Sequence, residues 1–117
     1  RLQHLVRRIP APKVVVEHAV RLARMTRPAD ESAPAAVKEY VSWGAGPRAS
    51  QYMVLGAKAR AAMDGRPMAD LEDVDAVALA VLRHRVVVNF NAEAAGKRAE
   101  EIAAEVMAEA RRRPGIR

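Results

Sequence analysis

Apolar residues recur at helical spacing along most of the chain. Leu2, Leu5, Val6 and Ile9 fall about one turn apart, and Pro10 and Pro12 then stop and restart the chain. Lys13 to about Arg27 continues the pattern with Val15, Val16, Ala19, Val20, Leu22 and Ala23. Val14 to Val16 would also suit a strand, but the segment's length and charged outer face favour a helix. The stretch RPADESAP, Arg27 to Pro34, is polar with prolines near both ends and predicts a loop. Val37 to Trp43 reads equally as a short helix or an extended piece.

Pro47 to Asp64 is the clearest helix. Tyr52, Leu55, Gly56, Ala59, Ala62 and Met63 share one side, which reads as the buried face, and Gly65 and Pro67 supply the stop. Gly56 and its alanine neighbours leave a flat stripe on which another helix can pack closely. Asp70 is the expected N-cap of a helix from Leu71 to about His84, with Glu72 and Asp73 in its first turn and Val74, Val77, Ala78, Val81 and Leu82 inward. Val86 to Asn91 reads as a short extended connector. A last helix, about Glu93 to Arg113, is expected to bury Ala99, Ile102, Ala103, Val106 and Ala110. The pattern predicts an all-α fold, a small bundle of about four main helices.

Composition sharpens this picture. Half of the 117 residues are hydrophobic but only 3% are aromatic, and alanine makes up much of the difference, which suits helices packed at short range. The absence of cysteine excludes disulfides, thiol catalysis and cysteine-ligated zinc, and it suits a reducing compartment such as the cytoplasm. No apolar run is long enough for a membrane span, and no signal segment opens the chain. The chain begins at Arg1 rather than methionine, so it reads as a fragment of something longer. The net charge of +6 favours acidic partners. Its positive residues are strewn along the chain, with one cluster at Arg111, Arg112 and Arg113, and a strewn excess reads as solvated surface rather than a nucleic-acid stripe.

One local feature runs against electrostatics. In WGAGPRAS, Trp43 to Ser50, glycines precede Pro47 at the first helical position, and Arg48 then places a cation where the backbone dipole is already positive. Either Arg48 points into water, or an anion bound at that helix end reverses the sign of the interaction. Trp43 and Tyr40 beside the glycines would stack on a base or anchor the loop to the core. His4, His18 and His84 lie far apart with no metal-ligand spacing. Arg83, His84 and Arg85 suit a helix C-terminus, where cations are favourable. The chain has no G-x-x-x-x-G-K-[ST] loop and no recognisable nucleophile arrangement.

Taken in order, MTRP at Met25 to Pro28, WGAGPRAS, GAKARAAMDGRP at Gly56 to Pro67 and LEDVDAVALAVLRHR at Leu71 to Arg85 resemble the C-terminal helical lid of MoxR-type AAA+ ATPases. The likeness runs from about Pro12 to Ala110. His18 and Ala19 stand where that family often has a bulky pair, which would thin the core there. The resemblance implies a lid at 13–113, with 1–12 a linker or the end of a preceding core and 114–117 a tail. It implies that Arg48 is the sensor 2 arginine at the terminal phosphate of ATP, with Gly46, Pro47 and Ala49 beside the nucleotide. It further implies a parent ATPase using ATP with Mg2+, a fragment not catalytic without the phosphate-loop core, and chaperone-like remodelling of partner proteins. The implied partners are the protein's own AAA+ core, neighbouring subunits of a hexameric ring and a protein with a metal-ion-binding adhesion domain. The competing classes are a basic helical module docking on nucleic acid and a scaffold binding only other proteins. Against the first stand Glu72 and Asp73 at the start of the helix that would read a groove.

Overall fold

The computed structural model describes residues 8–113. Its element order is α1 (Lys13–Met25), α2 (Ala35–Tyr40), β1 (Val41–Trp43), α3 (Pro47–Met63), α4 (Leu71–Leu82), β2 (Val87–Val88), α5 (Phe90–Ala95) and α6 (Ala99–Arg112). The predicted helical bundle is present, and α1, α3 and α4 pack together as its centre, with α6 against α4 and α2. Leu2, Leu5 and Val6 lie outside the described residues, whereas Ile9 packs against the core.

The ambiguous segment before Trp43 is both things in turn: α2 ends at Tyr40 and the chain then extends as β1. β1 pairs antiparallel with β2, Val41 opposite Val88 and Trp43 opposite Val87, so the extended connector is one strand of a two-stranded ribbon. The expected last helix is two. Gly96 adopts φ +74°, a conformation glycine reaches without steric cost, and it ends α5 at Ala95. The Glu101 carboxylate then accepts the Arg98 N–H at 2.9 Å as α6 begins. Along α6, Ile102, Ala103, Val106 and Ala110 are buried as expected, and Ala99 is partly so.

The face of α3 is the main correction. Ala49, Met53, Ala57 and Ala61 are buried, while Tyr52, Leu55 and Met63 are exposed and Ala59 and Ala62 are half-buried. Both sides of this helix carry small or apolar residues, so periodicity had two stripes to choose between and the larger side chains marked the wrong one. The buried alanines let α1 and α4 come close. Gly56 keeps its expected role, because a Cβ there would sit 3.2 Å from a methyl group of Val77 on α4. On α1, Ala19 is fully buried, and His18 turns aside so that its Nε2 lies 2.8 Å from Asp75 Oδ1 on α4. A small residue and a polar link thus replace bulk.

Asp73 organises the other end of α3. Asp70 accepts the Asp73 N–H at 3.2 Å and Asp73 accepts the Asp70 N–H at 2.9 Å, a reciprocal cap on α4. The Asp73 carboxylate is only 1% exposed, and Arg66 grips it with two guanidinium nitrogens at 2.8 and 2.6 Å. Arg60 on α3 adds a third contact at 3.2 Å. Arg66 first, then the Asp70 N–H and Arg60, hold the Asp73 carboxyl well below the usual carboxylate range. Asp30, bonded by the Ser32 hydroxyl and N–H and by Arg24, is lowered to about 2.

Two outcomes follow from this packing. Ala61→Leu should lower stability by about 1–3 kcal/mol through overpacking, while Ala59→Leu on the open side should be near neutral. Equal urea midpoints would show that the buried face is misassigned. Both depressed carboxyls favour the folded state only while ionised. Stability should therefore be level above about pH 4 and fall as the pH drops toward about 2. Asp73→Asn should be less stable at neutral pH and should flatten that acid limb. An acid limb unchanged in the variant would remove Asp73 from the account.

Candidate functional site

The site is built where the end of α1 meets the start of α3. Thr26, the residue after α1, is fully buried. Its hydroxyl donates to the Ala23 carbonyl at 2.6 Å and accepts the Ala45 N–H at 2.8 Å. Arg27 Nε donates to the Ala45 carbonyl at 2.8 Å. Both backbone groups of Ala45 are thereby held by one dipeptide. Gly44 makes this approach possible, since a Cβ there would lie 2.3 Å from the Thr26 carbonyl oxygen and 2.7 Å from the Arg27 Cα.

Beyond this clamp the chain enters α3 with no side-chain cap. Gly46 is the N-cap at φ −94° and ψ −171°, Pro47 is the first helical residue, and Ala49 N–H bonds the Gly46 carbonyl at 3.0 Å. Ser50 uses its hydroxyl on the Pro47 carbonyl at 2.7 Å rather than on an end N–H. Gly46, Pro47 and Arg48 are exposed, while Ala49 is buried, so Ala49 serves the core and the other three face outward. Arg48 makes no hydrogen bond or ion pair with any described residue. The first turn of α3 holds no acid, as in α1 and α2, whereas α4 carries Glu72 and Asp73 and α6 carries Glu100 and Glu101. A fixed cation and an uncapped helix start point outward together, an arrangement that suits an anion.

Other candidates are used differently. Tyr40 packs against the core, but Trp43 is 72% exposed and does not anchor the loop. The irregular register between Val41 and Trp43 turns Val41 inward and leaves Trp43 outside. Arg83 reaches Glu100 at 3.7 Å, tying the end of α4 to α6, and Arg85 lies over the Tyr52 ring at 4.6 Å. In the basic cluster, Arg112 and Arg113 bind Glu109, and Arg113 also donates to the Ser32 carbonyl at 2.8 Å. Arg83 and Arg113 thus tie separate elements together, while Arg112 pairs within its own helix. Among the described residues, no three His, Cys, Asp or Glu side chains converge to hold a metal.

Sequence reasoning found Arg48 and its glycines but gave no task to Thr26, Arg27 or Gly44. The available signal was a buried-type hydroxyl residue and an arginine directly after a helix, paired with a glycine-rich entry to the next long helix.

The fold is a small helical bundle with a short two-stranded ribbon. The chain matches the AAA lid domain family over residues 33–106 and belongs to it. It is 33% identical over 107 residues to Chaperone MoxR1 of Mycobacterium tuberculosis (strain ATCC 25618 / H37Rv), a match covering 92% of this chain and 27% of that protein. The crystal structure, at 2.00 Å, of a protein from Cytophaga hutchinsonii ATCC 33406 assigned as an ATPase has the same fold, with a TM-score of 0.86 and 26% identity. That match covers 92% of this chain and 33% of the other. The chain thus spans about a quarter to a third of the proteins it resembles.

The clamp makes a paired test. Gly44→Ala forces a Cβ into backbone and should cost about 1–3 kcal/mol or more. Gly46→Ala meets open space at an ordinary φ, so its small cap and chain-entropy effects should stay within about 1 kcal/mol. Thermal unfolding of the two variants checks this, and a Gly44→Ala chain as stable as the Gly46→Ala chain would contradict the close approach.

Proposed function

We propose that residues 13–113 are the lid of a MoxR-type AAA+ ATPase and that Arg48 is its sensor 2 residue. In this reading the lid closes over ATP held by the rest of the polypeptide, and Arg48 meets the terminal phosphate. The observation that carries it is an exposed guanidinium, unpaired with any described residue, on an uncapped helix start that a buried clamp fixes in place. A planar, permanently charged fork fits phosphate oxygens, and the Arg48 N–H at the positive end of the α3 dipole adds a second attraction. Gly46 and Pro47 frame that end without blocking it, and the main chain at Ala49 belongs to the same turn.

The chemistry itself belongs to parts outside this chain. Phosphoryl transfer depends on a phosphate-binding loop and a magnesium ion, whose ligands the rest of the protein would supply. The lid supplies electrostatic recognition of the phosphate that differs between ATP and ADP. Because a ligand shifts a conformation only through contacts that differ between states, Arg48 links nucleotide state to lid position. The likeness to Chaperone MoxR1 supports a chaperone-like use of that movement, and the family resemblance implies a ring of such subunits. The resemblance to MoxR-type ATPases makes a metal-ion-binding adhesion domain protein a candidate partner. No helix among the described residues is long and apolar enough to cross a membrane, and a cysteine-free chain suits the cytoplasm. Arg60, Arg66, Arg112 and Arg113 are paired with acids, and Glu72 and Asp73 stand at the start of the helix that would read a groove, which weighs against a nucleic-acid reading.

In the full-length protein, Arg48→Ala should cut ATP turnover at least tenfold, about 1.4 kcal/mol of transition-state stabilisation. ADP binding should change less, and Arg48→Lys should restore part of the loss. Steady-state hydrolysis with a folding control checks this. Normal turnover in an Arg48→Ala protein with an unfolded lid would make Arg48 structural.

A further inference from the structure

Ahead of α1 the chain runs through Ile9, Pro10, Ala11 and Pro12, a stretch that its two prolines make stiff. Each proline fixes its own φ at about −65° and biases the residue before it toward extended backbone. Pro12 lies at φ −58° and ψ 157°, and its carbonyl accepts the Val15 and Val16 N–H groups at 2.9 and 3.2 Å as α1 begins. A hinge needs residues that can absorb large changes in φ and ψ, and this stretch offers little such freedom.

The same stretch lies on the body of the bundle. Ile9 and Ala11 pack against the core, while Pro10 is exposed. The Pro10 carbonyl accepts the Ala69 N–H at 3.1 Å, and Ala69 is 1% exposed. Parting the two would strip a buried donor of its acceptor and pull Ile9 and Ala11 off the core with it. The turn that donates this bond is itself held. The Arg66 N–H bonds the Ala61 carbonyl at 2.8 Å, the Arg66 side chain grips Asp73 at 2.6 Å, and Asp70 caps α4 directly after Ala69.

We infer that Ile9 to Pro12 is a strap, stiffened by its prolines and fastened to the α3–α4 turn in every nucleotide state, so that it moves with the lid and the turning takes place ahead of Ile9. The sequence places the start of the lid at Lys13, and the strap moves it to Ile9. The fastening lies beyond the far end of α3 from Arg48, about 22 Å along that helix. A rotation of about 10° around the strap would therefore carry Arg48 through about 4 Å. The inference rests on the reading of this chain as a moving lid, and is independent of what Arg48 binds.

Hydrogen exchange of the full-length protein, read at single amides by mass spectrometry, tests it. The Ala69 amide should exchange within tenfold of the buried Ala78 amide of α4, both with a non-hydrolysable ATP analogue and magnesium and with ADP. Pro10→Gly combined with Pro12→Gly should speed Ala69 at least fivefold relative to Ala78, which reports any loosening of the whole lid. Three results would each overturn the strap: Ala69 more than tenfold faster than Ala78, a rate that changes more than tenfold between the nucleotides, or a ratio that the double variant leaves unchanged. If Ala69 stays protected while Arg48→Ala turns over ATP normally, the sensor reading has failed and the strap stands. If Ala69 opens with one nucleotide while Arg48→Ala lowers turnover, the sensor stands and the strap has failed.

Discussion

The proposed placement of Arg48 depends on how Ala45 is held. Its N–H and carbonyl go to the Thr26 hydroxyl and the Arg27 guanidinium, in a place where Thr26 has no access to water. A buried donor left without its acceptor costs about 1–3 kcal/mol, so this pairing strongly favours one geometry over its neighbours. The outcome is that the α3 start sits in fixed register on the end of α1. Arg48 is three residues from the clamp, and its reach is set from there.

At its other end α3 is secured by a different chemistry. Arg60 on α3 and Arg66 in the following turn both bind the buried Asp73 of α4, whose carboxylate also caps its own helix. A buried charge of this kind is tolerated only when several donors surround it, which is the case here. Between these two attachments, buried alanines bring α1 and α4 against one side of α3. The opposite side stays open, and it carries the arginine with Tyr52 and Leu55. A helix fixed at both ends and open on one face is held rigidly to the bundle, as the proposed transmission of a contact at its tip requires.

The sequence disclosed those features whose cause is local. Asp70 as a cap, the stop at Gly65, the close packing at Gly56 and the oddity of Arg48 all follow from residues within a few positions of each other. It was less informative where the cause lies across the fold. Gly96 breaks the last helical pattern in a stretch where apolar spacing alone runs on. The burial of α3 depended on whether methyl-sized or larger residues face its neighbours, and periodicity does not encode that choice. Thr26 and Arg27 acquire meaning only once Gly44 is seen to bring the chain back to Ala45, 18 residues after Arg27, at hydrogen-bond distance. Trp43 was ambiguous because strand register, not propensity, decides which side an aromatic takes.

The central claim is spatial, so a distance tests it most directly. In a structure of the full-length protein with a non-hydrolysable ATP analogue and magnesium, an Arg48 guanidinium nitrogen should lie about 3 Å from an oxygen of the terminal phosphate. The Thr26 and Arg27 contacts to Ala45 should be unchanged in that structure. A closed lid with Arg48 in solvent, and a different cation at the terminal phosphate, would contradict the account.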